Sequence, residues 1–486
     1  MTVRAGPIDA LYSGPGRPGD VIAIVVSEAD RASEHIGEHL LDLADWESRT
    51  DDSRPPADGG GTYHVTDGFE MRTFEALHLH LEGAATAFDG GSAGEDDRGD
   101  AVTGDEPDLL VFASRHSGET GPLLTAHVTG NFADAEFGGE PRSLAEAPPN
   151  AVAAVVPALA EHAPEGYDVG VECTHHGPSH VGCPSMFVEV GSAEPQWEDP
   201  EAARAVARAI LDLRDVDPRG RRAVVGFGGG HYAPRFTRVV RETPWAVGHV
   251  AADWALDAMG DPGTDDNRAV VREAFDRSGA ERALLDGDHP DLAAAIEAEG
   301  YEVVSETWIR EVGDRPLDLV ASVEGALGSV AEGVRFGDRV PGDPEGVRTV
   351  ALPAELLGEA QGTDPDATRS TVEAHAVAFG TRDGGTRAEG RAAFADPGDY
   401  DALVDDLAGI LRDEYGSVDR EEGAVVAVET AFVPELAREA GVREGPAFGR
   451  LADGQSVEVE GRTVHPEEVH RERERRFPVR SDPPPD

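Results

Sequence analysis

The apolar residues of this chain fall into short runs that alternate with longer amphipathic stretches. Runs rich in branched residues, such as 21–26 (VIAIVV) and 109–113 (LLVFA), predict strands buried on both faces of a sheet. Between them, residues 29–43 carry apolar positions at helical spacing, with Ser27 as a candidate cap. Strands that alternate with helices of this length imply right-handed βαβ units.

The same alternation continues through the first two thirds of the chain. Further strands are predicted at 169–172, 186–190, 224–227 and 301–304. Further helices are predicted at 151–159, 200–213, 265–278 and 291–299. We therefore predict an α/β fold with a mostly parallel, mixed sheet flanked by helices.

The pattern changes near residue 315. Beyond it, turn clusters separate a predicted helix at 399–415, a strand at 424–429 and a strand–turn–strand tip at 459–464. We divide the chain into a first domain of residues 1–315 and a smaller α+β C-terminal domain of residues 316–486, whose last polar residues are predicted to fray.

The charged residues predict a strongly acidic surface. The 486 residues include 95 acidic and 42 basic ones, for a net charge of −53, and no lysine is present. Such an excess repels itself at low ionic strength, whereas at molar salt the Debye length is only about 3 Å. We infer a protein of a high-salt cytoplasm. Residues 89–107 are acidic and glycine-rich and are predicted to form a solvated insertion.

Cysteine content and hydropathy point to the same compartment. The two cysteines provide no disulfide framework, which is typical of a reducing interior. The N-terminal residues lack the apolar segment of a signal peptide, and no apolar run is long enough to span a membrane. We therefore expect a cytoplasmic protein without a membrane partner. Charge does not decide whether nucleic acid binds, because high salt weakens phosphate contacts for any protein.

Histidines concentrate where the predicted strands run into loops. They are His116, His127, His175, His176 and His231. Neutral imidazole is the commonest zinc ligand in proteins, and catalytic zinc sites use about three protein ligands and an open water position. Glu172 would complete such a set, orient a ligand or serve as general base. We interpret these histidines as a functional cluster.

The loop that precedes His231 has two interpretations. Gly228, Gly229 and Gly230 can present backbone N–H groups to a phosphate or a developing oxyanion. The alternative is a tight turn that needs positive φ angles. The loop matches neither GxxxxGK[ST] nor GxGxxG, so the sequence gives little support to nucleotide binding.

The sequence gives less support to a side-chain nucleophile. Cys173 directly follows the predicted strand at 169–172, and cysteine is among the most buried residue types, so burial outweighs a nucleophilic role. Ser114 and Thr129 place hydroxyl groups beside His116 and His127, but no GxSxG elbow is present.

Five motifs, taken together, resemble the archaeal-type D-aminoacyl-tRNA deacylases, a family with plant members. They are ASRHS at 113–117, LTAHVTGN at 124–131, VECTHHGPS at 171–179, CPSMFVE at 183–189 and GFGGGHYAP at 226–234. The resemblance covers about residues 20–310. It implies an α/β core related to phosphorylase and peptidyl-tRNA-hydrolase folds, in a monomer that binds two zinc ions. The implied reaction cleaves the ester between a D-amino acid and the 3′-terminal ribose of tRNA, which makes the tRNA 3′ end the partner, with no DNA.

Carried onto this chain, the resemblance assigns roles to the loop residues. The expected metal ligands are His116, His127, His175 and His231. The expected catalytic residues are Glu172, His176, His231 and Thr129. The expected substrate-binding residues are Ser114, Arg115, Gly228, Gly229, Gly230 and Arg235, with the glycine N–H groups at the oxyanion and the arginines at the tRNA end. Without a metal, His176 or His231 would act as general base on water.

Two other function classes stay open at this point. The glycine loop and sheet pattern also suit a nucleoside phosphorylase-like enzyme or another metal-dependent hydrolase. A non-enzymatic RNA-binding protein would not need the histidines at all.

Overall fold

The computed structural model of the protein describes residues 21–88, 106–220, 222–343 and 346–479. The chain divides into two compact units, one ending at Gly313 and the other beginning at Asp314. Nearly all of the predicted insertion at 89–107, and the tail beyond residue 479, lie outside the described residues.

The first unit alternates strands and helices, as predicted for an α/β fold. Its strands are β1 (Ile22–Ser27), β2 (Glu47–Asp51), β3 (Gly61–Thr66), β4 (Phe69–Phe74), β5 (Leu109–Arg115), β6 (Leu123–His127), β7 (Gly130–Asn131), β8 (Ser143–Leu144), β9 (Asp168–Val171), β10 (Ser185–Gly191), β11 (Ala223–Gly228), β12 (Ala246–Ala251), β13 (Arg282–Asp286) and β14 (Glu302–Val304). Its helices are α1 (Arg31–Leu43), α2 (Pro149–His162), α3 (Glu194–Trp197), α4 (Pro200–Leu211), α5 (Pro234–Glu242), α6 (Asp253–Met259), α7 (Asp265–Ser278), α8 (Pro290–Ala298) and α9 (Glu306–Val312).

Eight of these strands form one mixed sheet in the order β2-β3-β4-β1-β5-β10-β6-β9. The strands β4, β1, β5 and β10 run parallel to one another, and β6 runs parallel to β9. The pair β10 and β6 is antiparallel. Every residue of β1, β6 and β10 is buried, which fits the continuous apolar runs in their sequences. The predicted mixed, mostly parallel sheet is therefore confirmed.

A second sheet in the same unit is wholly parallel, in the order β12-β11-β13-β14. The alternation of strands and helices does not reveal that the strands divide between two sheets. The strand β12 (AVGHVA) is not among the predicted strands because Gly248 and His249 interrupt its apolar run. All six of its residues are nevertheless buried.

The cap of α1 differs from the prediction. The Asp30 carboxylate accepts hydrogen bonds from the backbone N–H groups of Ala32 and Ser33. Ser27 belongs to β1 instead, and its hydroxyl donates to the Ala76 carbonyl. A buried aspartate therefore begins the helix, beside the sheet.

The second unit is α+β and has its own cores. Its helices are α10 (Leu317–Leu327), α11 (Ala354–Thr363), α12 (Pro365–His375), α13 (Pro397–Leu411), α14 (Pro434–Glu439), α15 (Pro446–Ala452) and α16 (Pro466–Val469). Its strands are β15 (Val334–Phe336), β16 (Arg348–Ala351), β17 (Ala378–Arg382), β18 (Arg387–Phe394), β19 (Ser417–Glu421), β20 (Ala424–Phe432), β21 (Val457–Val459), β22 (Arg462–Val464) and β23 (His470–Pro478). The charged run at 470–476 belongs to β23, which pairs along the whole of β20.

No helix in the described ranges is both long enough and apolar enough to cross a membrane.

Candidate active site

Four neighbouring strands of the mixed sheet, in the order β5-β10-β6-β9, bring the polar residues together. His116 directly follows β5, His127 ends β6, and Glu172 directly follows β9. Because β6 and β9 run parallel with Ala126 opposite Val171, the next residues along, His127 and Glu172, lie side by side. The sequence therefore places these residues at one site, as strand ends in α/β folds commonly do.

Glu172 is the centre of the cluster. One carboxylate oxygen lies 2.9 Å from Nε2 of His231, and the other lies 3.1 Å from Nδ1 of His116. Burial opposes ionisation of this carboxyl group, but the hydrogen bonds from His116 and His231 outweigh it and hold the pKa of Glu172 well below its usual value. Burial likewise would lower the pKa of His116, yet its hydrogen bond to Glu172 raises that pKa. Glu172 is thus a buried, ionised carboxylate shared by two imidazoles.

A second buried carboxylate, Glu189, is not among the site residues that the sequence predicts. It lies inside β10, with one oxygen 3.7 Å from Nε2 of His127 and 3.8 Å from Nδ1 of His116. Burial would lower the pKa of His127, but Glu189 raises it. The available signal is a lone glutamate in the otherwise apolar run SMFVEV, where a buried charge needs a partner.

Three histidines, His127, His175 and His176, hold their rings in the same way. Each Nδ1 lies close to a backbone carbonyl oxygen, at 3.1 Å (His127 to Val128), 2.8 Å (His175 to Cys173) and 2.7 Å (His176 to Gly177). Because a carbonyl oxygen only accepts, each Nδ1 carries a proton, and the neutral ring keeps a lone pair on Nε2. Burial lowers the pKa of His175 to about 3 and that of His176 well below its usual value, so both rings are neutral at pH 7.

Donor atoms converge here in four sets of three. Within each set the donor atoms lie within 4.8 Å of one another, the sets being His127–His175–His176, His116–Glu172–His231, Cys173–His175–His231 and His127–Glu172–Glu189. Nε2 of His127 is buried without a hydrogen-bond partner among the described residues. The first two sets share no residue. Together they contain all four expected metal ligands, and His176, expected as a base, is the third ring of the first set.

A cavity of about 400 Å³ opens beside this cluster. It is lined by Asp30, Leu77, His78, Leu79, Ser114, Arg115, His116, Ser117, Phe137, His175, His176, Phe187, Glu189 and His231. Histidines and Glu189 form one part of its wall, and apolar side chains form another. Such a mixture of an apolar surface with a few converging polar groups is typical of a small-molecule site.

Ser114 and Arg115 line the cavity near a third buried acid, Asp30. The carboxylate of Asp30 accepts from the Ser114 hydroxyl at 3.4 Å and from the Arg115 backbone N–H at 3.1 Å. Burial raises the pKa of Asp30. The guanidinium of Arg115 stacks on Trp197, 4.9 Å from the ring centre. Trp197 in turn donates its indole N–H to the His116 carbonyl oxygen.

Arg235 and Thr129 are not among the residues that line the cavity. The guanidinium of Arg235 pairs with Asp286 at 3.4 Å and with Glu306 at 3.2 Å. The side chain of Thr129 is fully buried. Glu172 and His127 do not line the cavity either, so the catalytic role expected of Thr129 and the substrate-binding role expected of Arg235 stay predictions.

The contacts of the glycine loop agree with a tight turn. Gly228 and Gly229 have φ angles of 94° and 78°. A Cβ atom on Gly228 would lie 2.2 Å from the Asp286 carbonyl oxygen, and one on Gly229 would lie 2.5 Å from the Asp286 carboxylate. Only glycine tolerates both this backbone conformation and this close approach. The turn packs β11 against β13 and delivers His231, while an oxyanion role for its N–H groups, including that of Gly230, stays a prediction.

Two further side chains, those of Tyr232 and His249, hold the cluster and its loop in place, and a third, Cys173, lies beside them without the properties of a nucleophile. The hydroxyl of Tyr232 lies 3.1 Å from Nε2 of His116, on the ring edge opposite Glu172. The buried ring of His249 bridges the Ala145 carbonyl oxygen and the Thr174 hydroxyl. Burial raises the pKa of the Cys173 thiol to about 12, which disfavours the thiolate that a nucleophile needs.

The family model and the curated relatives agree on one family. Residues 103–304 match the family model described as D-aminoacyl-tRNA deacylase. The chain is 60% identical to a curated D-aminoacyl-tRNA deacylase of Halorubrum lacusprofundi, over 95% of this chain and 97% of that protein. It is 32% identical to one of Methanococcoides burtonii, over 95% of this chain and 97% of that protein. A crystal structure of a conserved protein of unknown function matches 60% of this chain and 97% of its own, with 28% identity and a TM-score of 0.51.

Proposed function

Because the chain belongs to the D-aminoacyl-tRNA deacylase family, we propose that it hydrolyses D-aminoacyl-tRNA in the cavity beside Glu172. The products are a free D-amino acid and tRNA. The observation that carries this assignment is the buried Glu172 carboxylate, which lies between His116 and His231 while both rings line the cavity. Ester hydrolysis needs a base for water and an acid for the leaving oxygen. This cluster contains neutral imidazoles that can accept a proton and an imidazole with a raised pKa that can donate one.

Without a metal, the neutral histidines suit the role of general base. His175 and His176 line the cavity with their Nδ1 protons held by backbone carbonyl oxygens, so Nε2 can accept a proton from water. The ionised Glu172 then stabilises the positive charge that forms nearby, as an acid does for a catalytic imidazole. Burial strengthens that interaction because little water screens it.

Without a metal, His116 suits the role of general acid. Its raised pKa favours the protonated ring, and it lines the same cavity as His175 and His176. The ring can therefore donate a hydrogen bond to the ester carbonyl oxygen or a proton to the departing ribose oxygen. Trp197 fixes the His116 backbone, and Tyr232 contacts the far edge of its ring. These contacts orient the ring before substrate binds.

As an alternative to direct proton transfer by these rings, the same residues fit zinc. The set His127, His175 and His176 would hold one ion through Nε2 atoms that their Nδ1 contacts leave available, and His116, Glu172 and His231 would hold a second. The unpartnered Nε2 of His127 supports the first assignment. When bound, zinc lowers the pKa of water and so supplies hydroxide near neutral pH.

The proposal has three further parts, which are the partner, the oligomeric state and the compartment. The acceptor end of a charged tRNA is the partner, the chain acts as a monomer, and the reaction takes place in the cytoplasm, where aminoacyl-tRNA is made and used. Ser114 and Arg115 line the Asp30 side of the cavity, which supports the proposal that they contact the terminal nucleotide.

A deacylation assay tests the function directly. The purified chain, supplied with zinc at about 3 M KCl to screen its surface charge, should release D-tyrosine from D-Tyr-tRNA and leave L-Tyr-tRNA charged. If D-Tyr-tRNA and D-Asp-tRNA both stay intact, the assignment is wrong. Phosphate-dependent cleavage of nucleosides would instead support a phosphorylase-like enzyme.

A further inference from the structure

Two exposed aromatic rings border the loop that carries the central histidines. The exposed large apolar side chains of the described chain are Leu41, Phe137, Trp254 and Val340, and the two aromatic ones among them are 60% (Phe137) and 49% (Trp254) exposed. The carbonyl oxygen of Phe137 accepts from the N–H of Gly177, at the end of this loop. The indole of Trp254 lies against the thiol of Cys173, at its beginning.

Both rings stand on backbone that close contacts hold in place. Phe137 is followed by Gly138 and Gly139, with φ angles of 77° and 78°. A Cβ on Gly138 would lie 2.1 Å from the Leu79 carbonyl oxygen, so this turn is seated tightly. Trp254 follows Asp253, whose N–H donates to the Gly229 carbonyl oxygen. Rings on fixed backbone lose little conformational freedom when they bind a partner.

The arginines near the site are already engaged by other groups. Arg115 is the only arginine among the described residues that line the cavity, and its guanidinium stacks on Trp197. Arg235 pairs with Asp286 and Glu306. The chain as a whole carries a net charge of −53. Attraction between arginine and phosphate is therefore a poor means of holding RNA here, and high salt weakens it further.

We propose that Phe137 and Trp254 are stacking platforms for the unpaired nucleotides at the 3′ end of the tRNA. This inference rests on the proposed function, because that function makes a single-stranded acceptor end the ligand of the neighbouring cavity. Base–aromatic stacking tolerates any base and depends little on ionic strength, so it suits an acidic protein at high salt. Phe137 lines the cavity itself, which places its ring beside the nucleotide nearest the ester.

The test measures RNA binding without hydrolysis. The probe is a short single-stranded RNA that ends in ACCA and carries 2-aminopurine in place of an adenine, whose fluorescence falls on stacking. We expect Phe137→Leu and Trp254→Leu each to weaken binding about tenfold, because one stack contributes roughly that much. Phe137→Tyr and Trp254→Phe keep a ring and should bind like the unaltered chain. Leu41→Ala, which removes an exposed apolar side chain on α1, is the matched control.

Three further measurements test whether the two rings bind nucleotides. The leucine variants should raise KM for D-aminoacyl-tRNA about tenfold and leave kcat unchanged. Hydrolysis of D-tyrosine methyl ester, which has no nucleotide, should change far less than tRNA deacylation in Trp254→Leu, whose ring does not line the cavity. Binding of the probe should vary less than about threefold between about 0.5 and 3 M KCl, whereas a phosphate-dominated site would lose far more.

Two results would overturn the inference: leucine variants that bind the probe as tightly as the unaltered chain, or affinity that falls steeply with salt. A chain that binds the probe through both rings but leaves D-aminoacyl-tRNA intact would refute the proposed function and retain the platforms. An active enzyme whose leucine variants keep KM and affinity would refute the platforms alone.

Discussion

The Glu172 carboxylate lies 2.9 Å from Nε2 of His231, although the two residues are 59 positions apart. Glu172 follows a strand of the eight-stranded sheet, and His231 follows a strand of the four-stranded parallel sheet. The backbone N–H of Cys173 also donates to the His231 carbonyl oxygen, which holds the two segments together. The site therefore forms only when both sheets of the first unit are in place.

Metal content separates the two proposed ligand sets. The dialysed and zinc-reconstituted chain should carry about two zinc ions, and His176→Ala and His231→Ala should each remove about one. The exposed His180→Ala is the control and should leave the content unchanged, since its ring contacts only Glu140. Elemental analysis makes the measurement. A chain that retains no zinc, yet stays fully active in a chelator, would contradict the metal proposal.

Neighbouring glycines should respond differently to the same substitution. Gly228→Ala should lower the free energy of unfolding by about 2 kcal/mol or more, because the new Cβ meets the Asp286 carbonyl oxygen at a strained φ. Gly230→Ala should be close to neutral in stability, since a Cβ there meets no atom within 4 Å. Urea denaturation compares the two. A Gly228→Ala protein that is as stable as the Gly230→Ala protein would show that the turn does not require glycine at position 228.

The buried histidines His78 and His249 should make the fold sensitive to acid. Burial lowers the pKa of His78 to about 3 and that of His249 to about 4, from 6.5. Below pH 6.5 the unfolded chain binds these protons and the folded chain does not, so their contribution is complete above pH 6.5 and declines as the pH falls towards 4. Between pH 7.5 and 5 each should remove about 2 kcal/mol from the free energy of unfolding.

Denaturation at the two pH values tests this for His78→Gln and His249→Gln, each of which should show a smaller decline than the unaltered chain. His180→Gln serves as the control because that ring is exposed. Identical pH slopes in all four proteins would mean that these two buried rings do not set the acid sensitivity.

The acidic surface should make stability depend on salt. With a net charge of −53, the folded chain repels itself unless counterions screen it. The Tm, followed by circular dichroism, should rise steadily between about 0.1 and 3 M KCl as the Debye length shrinks from about 10 Å to a few ångström. An uncharged osmolyte of equal osmolality should give a smaller rise. If it matches KCl, screening is not the cause.

The sequence predicts the main features of the site because strand ends are local signals. The short apolar runs that become β5, β6 and β9 each stop at a polar residue, so His116, His127 and Glu172 stand out as strand ends. The parallel pairing of β6 with β9 then brings two of them side by side. The α/β class follows from the same alternation of runs and amphipathic stretches.

Other features depend on neighbours that are distant in sequence. Glu189 lies within a strand, and Asp30 caps a helix, so neither looks like a site residue until the histidines and Ser114 are seen beside them. Arg235 follows a motif histidine by four positions, yet Asp286 and Glu306 engage its guanidinium. These acids come from segments more than fifty positions away, and sequence spacing does not reveal that contact.

The most direct test compares Glu172→Gln with the unaltered chain in deacylation of D-Tyr-tRNA. The amide keeps the shape of the side chain but removes the negative charge that His116 and His231 share. We predict that kcat falls about 10²- to 10⁴-fold, while the fold is kept and Glu161→Gln, at an exposed position of α2, keeps full activity. A folded Glu172→Gln protein that retains the unaltered rate would contradict the account, because Glu172 could then not be the centre of the active site.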